Sequence, residues 1–124
     1  MSLILDAGAL LAVERGDRAT AAVIEVARQE QRAVVVPAGV VAQVWRGGGR
    51  QVRLARLLNA WDVLVDPLTD VAARAAGVLC GAAGTTDVID ASVVLAARRH
   101  GATVISSDRA DLESLDPTIA IVDC

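Results

Sequence analysis

Short apolar runs rich in β-branched residues recur five times along the 124-residue chain. They cover residues 3–5, 33–36, 63–65, 103–105 and 119–122. We interpret each run as a strand, because β-branched residues favour extended backbone. Segments with helical spacing separate the runs, which is typical of a parallel sheet covered by helices on both faces. The pattern predicts a three-layer α/β fold with a mainly parallel sheet of four to five strands.

Helical spacing of apolar residues predicts six helices between these runs. Asp17 is a candidate N-cap of the second helix, Pro37 falls in the first turn of the third, and Gly101 ends the last. Each of these residue types favours the position it has here. The predicted helices cover residues 9–14, 19–29, 37–45, 50–59, 68–79 and 87–100.

The fourth predicted helix separates apolar from basic residues. The i, i+3, i+4, i+7 spacing of a buried face describes its apolar residues, and arginines occupy the other side. Trp45 and Trp61 are the only Phe, Tyr or Trp residues in the chain. Both fit core spacing, so we place both in the core. The apolar residues are Leu54, Leu57, Leu58 and Trp61, and the arginines are Arg50, Arg53 and Arg56.

Length and composition fit one domain spanning residues 1–124. Apolar residues make up 54% of the chain, which is enough for a single core. The sequence has neither a run of eighteen apolar residues nor a leader pattern, so we expect a cytoplasmic protein. Cys80 and Cys124 form no CxxC motif and no cluster with His100, which disfavours zinc and disulfides.

Four aspartates fall where an α/β fold gathers its ligands. Asp6 ends the first predicted strand and Asp108 follows the fourth, and open parallel sheets bind ligands at the carboxyl ends of their strands. Asp87 and Asp90 are three residues apart in the first turn of the preceding helix, a spacing that shares one helical face. The pattern predicts that all four face one crevice.

Converging carboxylates repel one another, so such a cluster normally requires a cation. Because all the candidate ligands are oxygen atoms, Mg²⁺ or Mn²⁺ is favoured over zinc. Such an ion activates water and stabilises a phosphorane-like transition state, which indicates hydrolysis of phosphodiesters. The alternative is that Asp6 begins a turn, that Asp87 or Thr86 caps its helix and that Asp90 interacts with the helix dipole.

The same residues resemble the motifs of the PIN-domain family, and of its VapC toxins in particular. The residues Ile-Leu-Asp at 4–6, followed by a small-residue helix, resemble the opening of PIN domains. The segment 90–97 resembles their third acidic motif, and Val-Ile-Ser-Ser-Asp at 104–108 resembles the fourth. The resemblance runs over essentially the whole chain.

This resemblance implies a PIN fold and an endoribonuclease toxin restrained by a cognate VapB-like antitoxin. In the family, acids corresponding to Asp6, Asp90 and Asp108 bind Mg²⁺ or Mn²⁺ at the catalytic site, and Asp87 matches an additional acid that is often present. RNA and the antitoxin are the implied partners. A homodimer is the implied assembly, with apolar surface on the early helices as a candidate interface.

The chain departs from the family pattern at two places. The family usually has Glu in the helix after its second strand, where Gln43 stands here, and residues 31–61 contain no acid. Gln43 can offer an amide oxygen to a metal or its water but contributes no charge. Residues 7–9, Ala-Gly-Ala, replace a hydroxyl-bearing residue often found after the first acid. Ser107 is a further candidate for a supporting contact.

Two functions therefore remain open from the sequence. The first is the metal-dependent ribonuclease, and the second is a catalytically weak or inactive PIN-like module that binds RNA or protein. A phosphoacceptor receiver domain is disfavoured because the chain contains no Lys, and haloacid-dehalogenase chemistry because Gly8 replaces its second Asp. An arginine stripe is a candidate contact for RNA or antitoxin, or else a solvated face. It comprises Arg46, Arg50, Arg53 and Arg56.

Overall fold

A five-stranded parallel sheet lies at the centre of the computed structural model, which describes residues 2–124. All five predicted strands are present, and the sheet order is β3-β2-β1-β4-β5. The last strand starts at Ile121 rather than at residue 119, because the amide of Ile119 closes a turn onto the Asp116 carbonyl. The strands are β1 (Leu3–Leu5), β2 (Val34–Pro37), β3 (Val63–Asp66), β4 (Thr103–Ser106) and β5 (Ile121–Asp123).

Seven α-helices connect the strands within residues 2–124, one more than predicted. Asp17 caps α2 by accepting a hydrogen bond from the Thr20 amide, and Gly101 ends α6 with left-handed backbone, as expected. Pro37 is the N-cap of α3 and not part of its first turn. The helices are α1 (Ala7–Arg15), α2 (Arg18–Gln29), α3 (Ala38–Val44), α4 (Val52–Leu58), α5 (Asp70–Ala83), α6 (Val88–His100) and α7 (Arg109–Leu115).

Successive strands are added to the sheet first on one side of β1 and then on the other. The chain runs from β1 through β2 to β3, then returns to β4 and β5 on the other side of β1. Because parallel strands are joined by right-handed crossovers, this reversal places α1–α4 on one face and α5–α7 on the other. Accordingly, α1 packs against α2, α3 and α4, whereas α6 packs against α5 and α7. The predicted three-layer fold is confirmed.

The two tryptophans are not core residues, contrary to the prediction. Trp61 is 94% exposed, because α4 ends at Leu58 and the helical spacing that would bury residue 61 stops a turn early. Trp45 is 40% exposed, because α3 ends at Val44 and the backbone becomes extended at Trp45. The core is instead built from aliphatic side chains of the central strands and of the helix faces turned toward them.

The longest helices are α5 and α6, which pack against each other. Within residues 2–124, no single helix has the length and apolar composition needed to cross a membrane. The two helices meet those criteria only when taken together, as a pair bent by 110°.

Candidate active site

A cleft opens at the carboxyl ends of β1 and β4, between which the chain changes direction across the sheet. Open α/β sheets bind ligands at such a reversal. The cleft has a volume of about 510 Å³ and draws its polar lining from four separate parts of the chain. Five carboxylates, one amide and one guanidinium line it: Asp6, Asp87, Asp90, Asp108, Asp111, Gln43 and Arg46.

Asp6 is the most buried of these acids, with 4% of its surface exposed. It caps α1, since its Oδ1 accepts a hydrogen bond from the Ala9 amide at 3.2 Å. Its Oδ2 accepts a short hydrogen bond from the Ser106 hydroxyl. Burial raises the pKa of Asp6, the hydrogen bonds from Ser106 and Ala9 lower it, and the charge of Asp108 raises it further. The net pKa lies above the usual range of an aspartate.

Ser106 joins the first acid to the fourth. It is fully buried as the last residue of β4, and its hydroxyl both donates to Asp6 and accepts from the Asp108 amide at 2.8 Å. The sequence indicated Ser107 as a supporting residue, but Ser107 is exposed and packs against Gly8. A Cβ atom on Gly8 would lie 2.7 Å from the Ser107 Cβ. The hydroxyl missing from residues 7–9 is thus supplied by Ser106 on the neighbouring strand.

Asp87 and Asp90 occupy the first turn of α6. Asp87 is the N-cap, as the structural alternative predicted, and its Oδ1 accepts from the Asp90 amide at 3.0 Å. The pKa of Asp90 is raised to about 7, and burial is the largest cause. The negative charge of Asp87 and a hydrogen bond with Asp87 come next, and the charges of Asp111 and Asp108 add to the effect. Capping does not remove Asp87 from the cleft, which it lines beside Asp90.

Asp111 is a site residue that the sequence reasoning missed. It lies in the first turn of α7 and lines the cleft with Asp108, the residue that precedes this helix. Its negative charge contributes to the raised pKa of Asp90. The available signal was the spacing of three residues between Asp108 and Asp111, which matches that between Asp87 and Asp90. Because α7 was not predicted, Asp108 and Asp111 were not recognised as a pair at the start of a helix.

Of the predicted arginine stripe, only Arg46 lines the cleft. Its guanidinium donates to the Trp45 carbonyl at 2.8 Å, and it lies just after α3, which also carries Gln43 to the cleft. Arg53 is exposed beside the end of α1, where its Nη1 is 3.5 Å from the Glu14 carbonyl oxygen. Arg50 and Arg56 are likewise exposed.

A second cleft, of about 400 Å³, lies between α5 and α6 but carries no excess of negative charge. Its carboxylate, Asp66, pairs with Arg99, and its other arginine, Arg98, pairs with Asp116 at 2.8 Å. Its remaining lining is largely apolar. The first cleft therefore remains the candidate active site.

The oxygen donors of the acidic cleft match the ligands that Mg²⁺ and Mn²⁺ prefer. The raised pKa of Asp90 fits such a site, because this carboxyl is partly buried and other aspartates surround it. In the present side-chain conformations, no three His, Cys, Asp or Glu residues among 2–124 form a ready-made metal-binding group.

Fold and cleft together define a doubly wound α/β protein with an acidic centre at the point where strand order reverses. The chain belongs to the PIN-domain family, whose model matches residues 3–116. The family resemblance drawn from the acidic motifs is thereby confirmed. A comparison with curated protein sequences finds no significant match.

Three solved structures have the same fold. The chain is similar to a structure of FitAB bound to an IR36 DNA fragment, with 16% sequence identity and a TM-score of 0.65 over 98% of this chain and 94% of that one. The chain is also similar to VapBC2 from Rickettsia felis bound to a DNA fragment from their promoter, with 11% sequence identity and a TM-score of 0.67 over 100% of this chain and 99% of that one. Its similarity to FitAcB from Neisseria gonorrhoeae has 16% sequence identity and a TM-score of 0.61 over 96% of this chain and 95% of that one.

Proposed function

We propose that this PIN domain is a metal-dependent endoribonuclease that acts as the toxin of a toxin–antitoxin pair. The observation that carries the proposal is the convergence of five carboxylates on one cleft at the carboxyl edge of the sheet. Such a cluster is unfavourable without a cation, and its oxygen donors favour Mg²⁺ or Mn²⁺. The family resemblance adds RNA as the substrate.

Each acid has a distinct role in this proposal. Asp6, Asp90 and Asp108 would hold the ion, and Asp87 would support them from the cap of α6. A bound divalent ion would lower the pKa of a water and neutralise charge on the phosphodiester. The hydroxyl of Ser106 contacts both the Asp6 carboxylate and the Asp108 amide, so it fixes the position of Asp6 relative to the start of α7.

The decisive test is cleavage of RNA with Mg²⁺ or Mn²⁺ and with EDTA. We expect cleavage that EDTA abolishes and that Asp6→Asn or Asp90→Asn removes without loss of the folded state. Asp70→Asn is the matched control, because Asp70 pairs with Arg74 on the exposed surface of α5. Retained cleavage in both site variants would refute the assignment of the acids.

A VapB-like antitoxin and a second copy of the chain are the protein partners in this proposal. The similarity to VapBC2 supports the antitoxin, and exposed apolar side chains on α1 and α2 support an interface there. These side chains are Leu11, Val23 and Val26. Light scattering with and without a co-expressed antitoxin measures both assemblies. A chain that stays monomeric and forms no complex with the antitoxin would contradict them.

The alternative is a catalytically weak or inactive module that binds RNA or protein. It is favoured by Gln43, which lines the cleft where the family usually has Glu, and by the lack of a ready-made metal-binding group among residues 2–124. Gln43→Glu distinguishes the two functions. If the natural chain binds RNA but cleaves it only after this substitution, the binding module is the correct function.

A further inference from the structure

The segment that joins α3 to the 3₁₀ helix at Gly49–Gln51 borders the acidic cleft and is exposed at every residue from 45 to 50. It begins with Trp45 and Arg46, and Arg46 lines the cleft itself. Gly47 takes a left-handed conformation with φ of 77°, which turns the segment back toward α4. The segment thus forms one rim of the cleft.

Gln51 fixes this rim in place. It is 5% exposed, and its Oε1 accepts hydrogen bonds from the Arg46 amide at 2.9 Å and the Gly47 amide at 3.0 Å. Its Nε2 donates to the Glu14 carboxylate at 2.7 Å and to the Val44 carbonyl at 2.8 Å. One buried amide therefore ties the segment to α1 and α3. The exposed Trp45 and Arg46 side chains project from a backbone held at a defined position.

The charge of this rim is opposite to that of the cleft. Residues 31–61 contain no Asp or Glu, whereas the cleft presents five carboxylates. A polyanion approaching the carboxylates is repelled by them and must gain its attraction from a neighbouring basic surface. Arg46 is the only basic residue among those lining the cleft and stands at this rim. The rim therefore places a positive charge next to the acids, where it can attract a nucleic-acid backbone.

The indole of Trp45 adds a flat apolar surface to the same segment, one residue before the arginine that lines the cleft. Tryptophan buried in a core would leave no face for a ligand, but Trp45 keeps 40% of its surface exposed beside Arg46. Proteins that bind single-stranded nucleic acid combine basic residues along the backbone with aromatic side chains on which bases stack. In a paired helix the base faces are occupied by neighbouring bases, so a stacking residue selects unpaired strands.

We propose that Trp45, Arg46 and the Gln51-anchored segment form a docking site for single-stranded RNA at the rim of the cleft. Trp45 stacks on one base and Arg46 contacts an adjoining phosphate, which sets the strand across the acids. This inference rests on the proposed function for its ligand. The carboxylates of an acidic peptide would also pair with Arg46, but they do not stack on an indole face as bases do; stacking is therefore the feature that favours RNA.

Tryptophan fluorescence gives a direct test in the full chain. Trp61→Phe leaves Trp45 as the only indole, and Trp61 is a solvent-exposed residue ahead of β3 on the opposite edge of the sheet. The probe is a short single-stranded RNA, titrated in EDTA so that binding is measured without cleavage. We expect the RNA to quench Trp45 to saturation and the paired form of the same sequence to leave it nearly unchanged.

Substitutions separate stacking from charge. Trp45→Ala should weaken binding about five- to hundredfold, equivalent to about 1–3 kcal/mol at 1.4 kcal/mol per tenfold, whereas Trp45→Phe should retain most of it. Trp61→Ala is the matched control and should bind normally. An RNA with abasic sites should bind wild type and Trp45→Ala alike. Arg46→Gln should weaken binding of both the intact RNA and the RNA with abasic sites. It should also reduce the slope of the salt dependence by the amount expected for the loss of about one phosphate contact.

The outcomes distinguish the docking site from the nuclease. If Trp45→Ala binds and cleaves RNA like the natural chain, the docking site is wrong and the nuclease is unaffected. If RNA binds through Trp45 but no divalent ion produces cleavage, the docking site is supported and the nuclease fails. Quenching by an acidic peptide at concentrations where RNA has no effect would make the segment a protein-binding surface and overturn the inference.

Discussion

The hydroxyl of Ser106 shows how one buried side chain couples two halves of the candidate active site. It serves Asp6 and the backbone of Asp108 at once. We predict that Ser106→Ala lowers the free energy of unfolding by about 1–3 kcal/mol, because the buried Asp6 carboxylate and the partly buried Asp108 amide lose their partner. Metal affinity should fall about 10–100-fold, since Asp6 would keep its hydrogen bond from the Ala9 amide but its Oδ2 would lose its partner.

Ser107→Ala is the matched control for this prediction. It removes the same hydroxyl one residue later, from a side chain that is exposed. Calorimetric titration with Mn²⁺ and thermal unfolding measure both effects. Equal losses in the two variants would show that the buried hydroxyl has no special role.

Asp90 should make the metal-free protein less stable as the solution becomes more basic. Its pKa is about 7 in the folded state and about 4 in an unfolded chain. The folded state therefore holds the proton more tightly, so stability declines as pH rises from about 4 to about 7. Asp90→Asn should remove this decline and stabilise the protein at pH 8 by about 1–2 kcal/mol, after allowing for solvent screening.

Urea unfolding in EDTA at pH 4 and pH 8 measures the effect. The advantage of Asp90→Asn should be small at the lower pH and largest at the higher. A constant difference between variant and natural chain at both values would contradict the protonation argument.

Gly8 is required because the residue that follows β4, Ser107, approaches α1 closely. A Cβ at this position would lie 2.7 Å from the Ser107 Cβ and 3.0 Å from its amide nitrogen. We predict that Gly8→Ser, which restores a family-like hydroxyl, destabilises the fold by about 1–3 kcal/mol through overpacking. Ser107→Gly in the same chain should recover part of the loss, as measured by thermal unfolding.

At the level of elements, the connection between α3 and α4 depends on Gln51. All four hydrogen bonds of its side chain are internal, to Glu14, Val44, Arg46 and Gly47. We predict that Gln51→Ala costs about 1–3 kcal/mol and accelerates amide exchange over residues 45–50. Exchange in α5, which lies on the other face of the sheet, should change only through the global loss of stability.

The strands and most helices could be predicted because their apolar spacing is local. The missed helix α7 has only seven residues, and its two buried leucines, Leu112 and Leu115, give too little periodicity to distinguish it from a turn. Trp61 was placed wrongly because periodicity does not reveal where a helix ends. At Asn59 the side-chain amide donates to the Ala55 carbonyl and closes α4. Ending a helix there depends on that capping contact.

The site was only partly predictable for a related reason. Strand ends place Asp6 and Asp108 at one edge, so their proximity follows from the parallel sheet. Choosing Ser106 rather than Ser107 requires knowing where β4 ends, because β4 is buried through Ser106 and Ser107 lies beyond it in an exposed position. Asp111 required knowledge of α7. Contacts between remote elements, such as Gln51 with Glu14, have no signature in the sequence.

For the whole molecule, we predict that a divalent ion stabilises the fold. An ion that binds only the folded chain adds about 2.7 kcal/mol at a hundredfold excess over Kd, which raises Tm by several degrees. Mg²⁺ and Mn²⁺ should therefore raise the Tm, and NaCl at equal ionic strength should not. Asp6→Asn should abolish the difference, and an unchanged response in that variant would place the ion elsewhere.

The contact between Asp6 and Ser106 spans 100 positions of the chain. During synthesis β1 emerges well before its partner β4 and the helix that follows β4. A nascent chain can begin to order α1 and α2 early, yet it cannot assemble the acidic cleft until β4 and α7 have been made. If the chain cuts RNA, its own unfinished copies are harmless to the message from which they are translated.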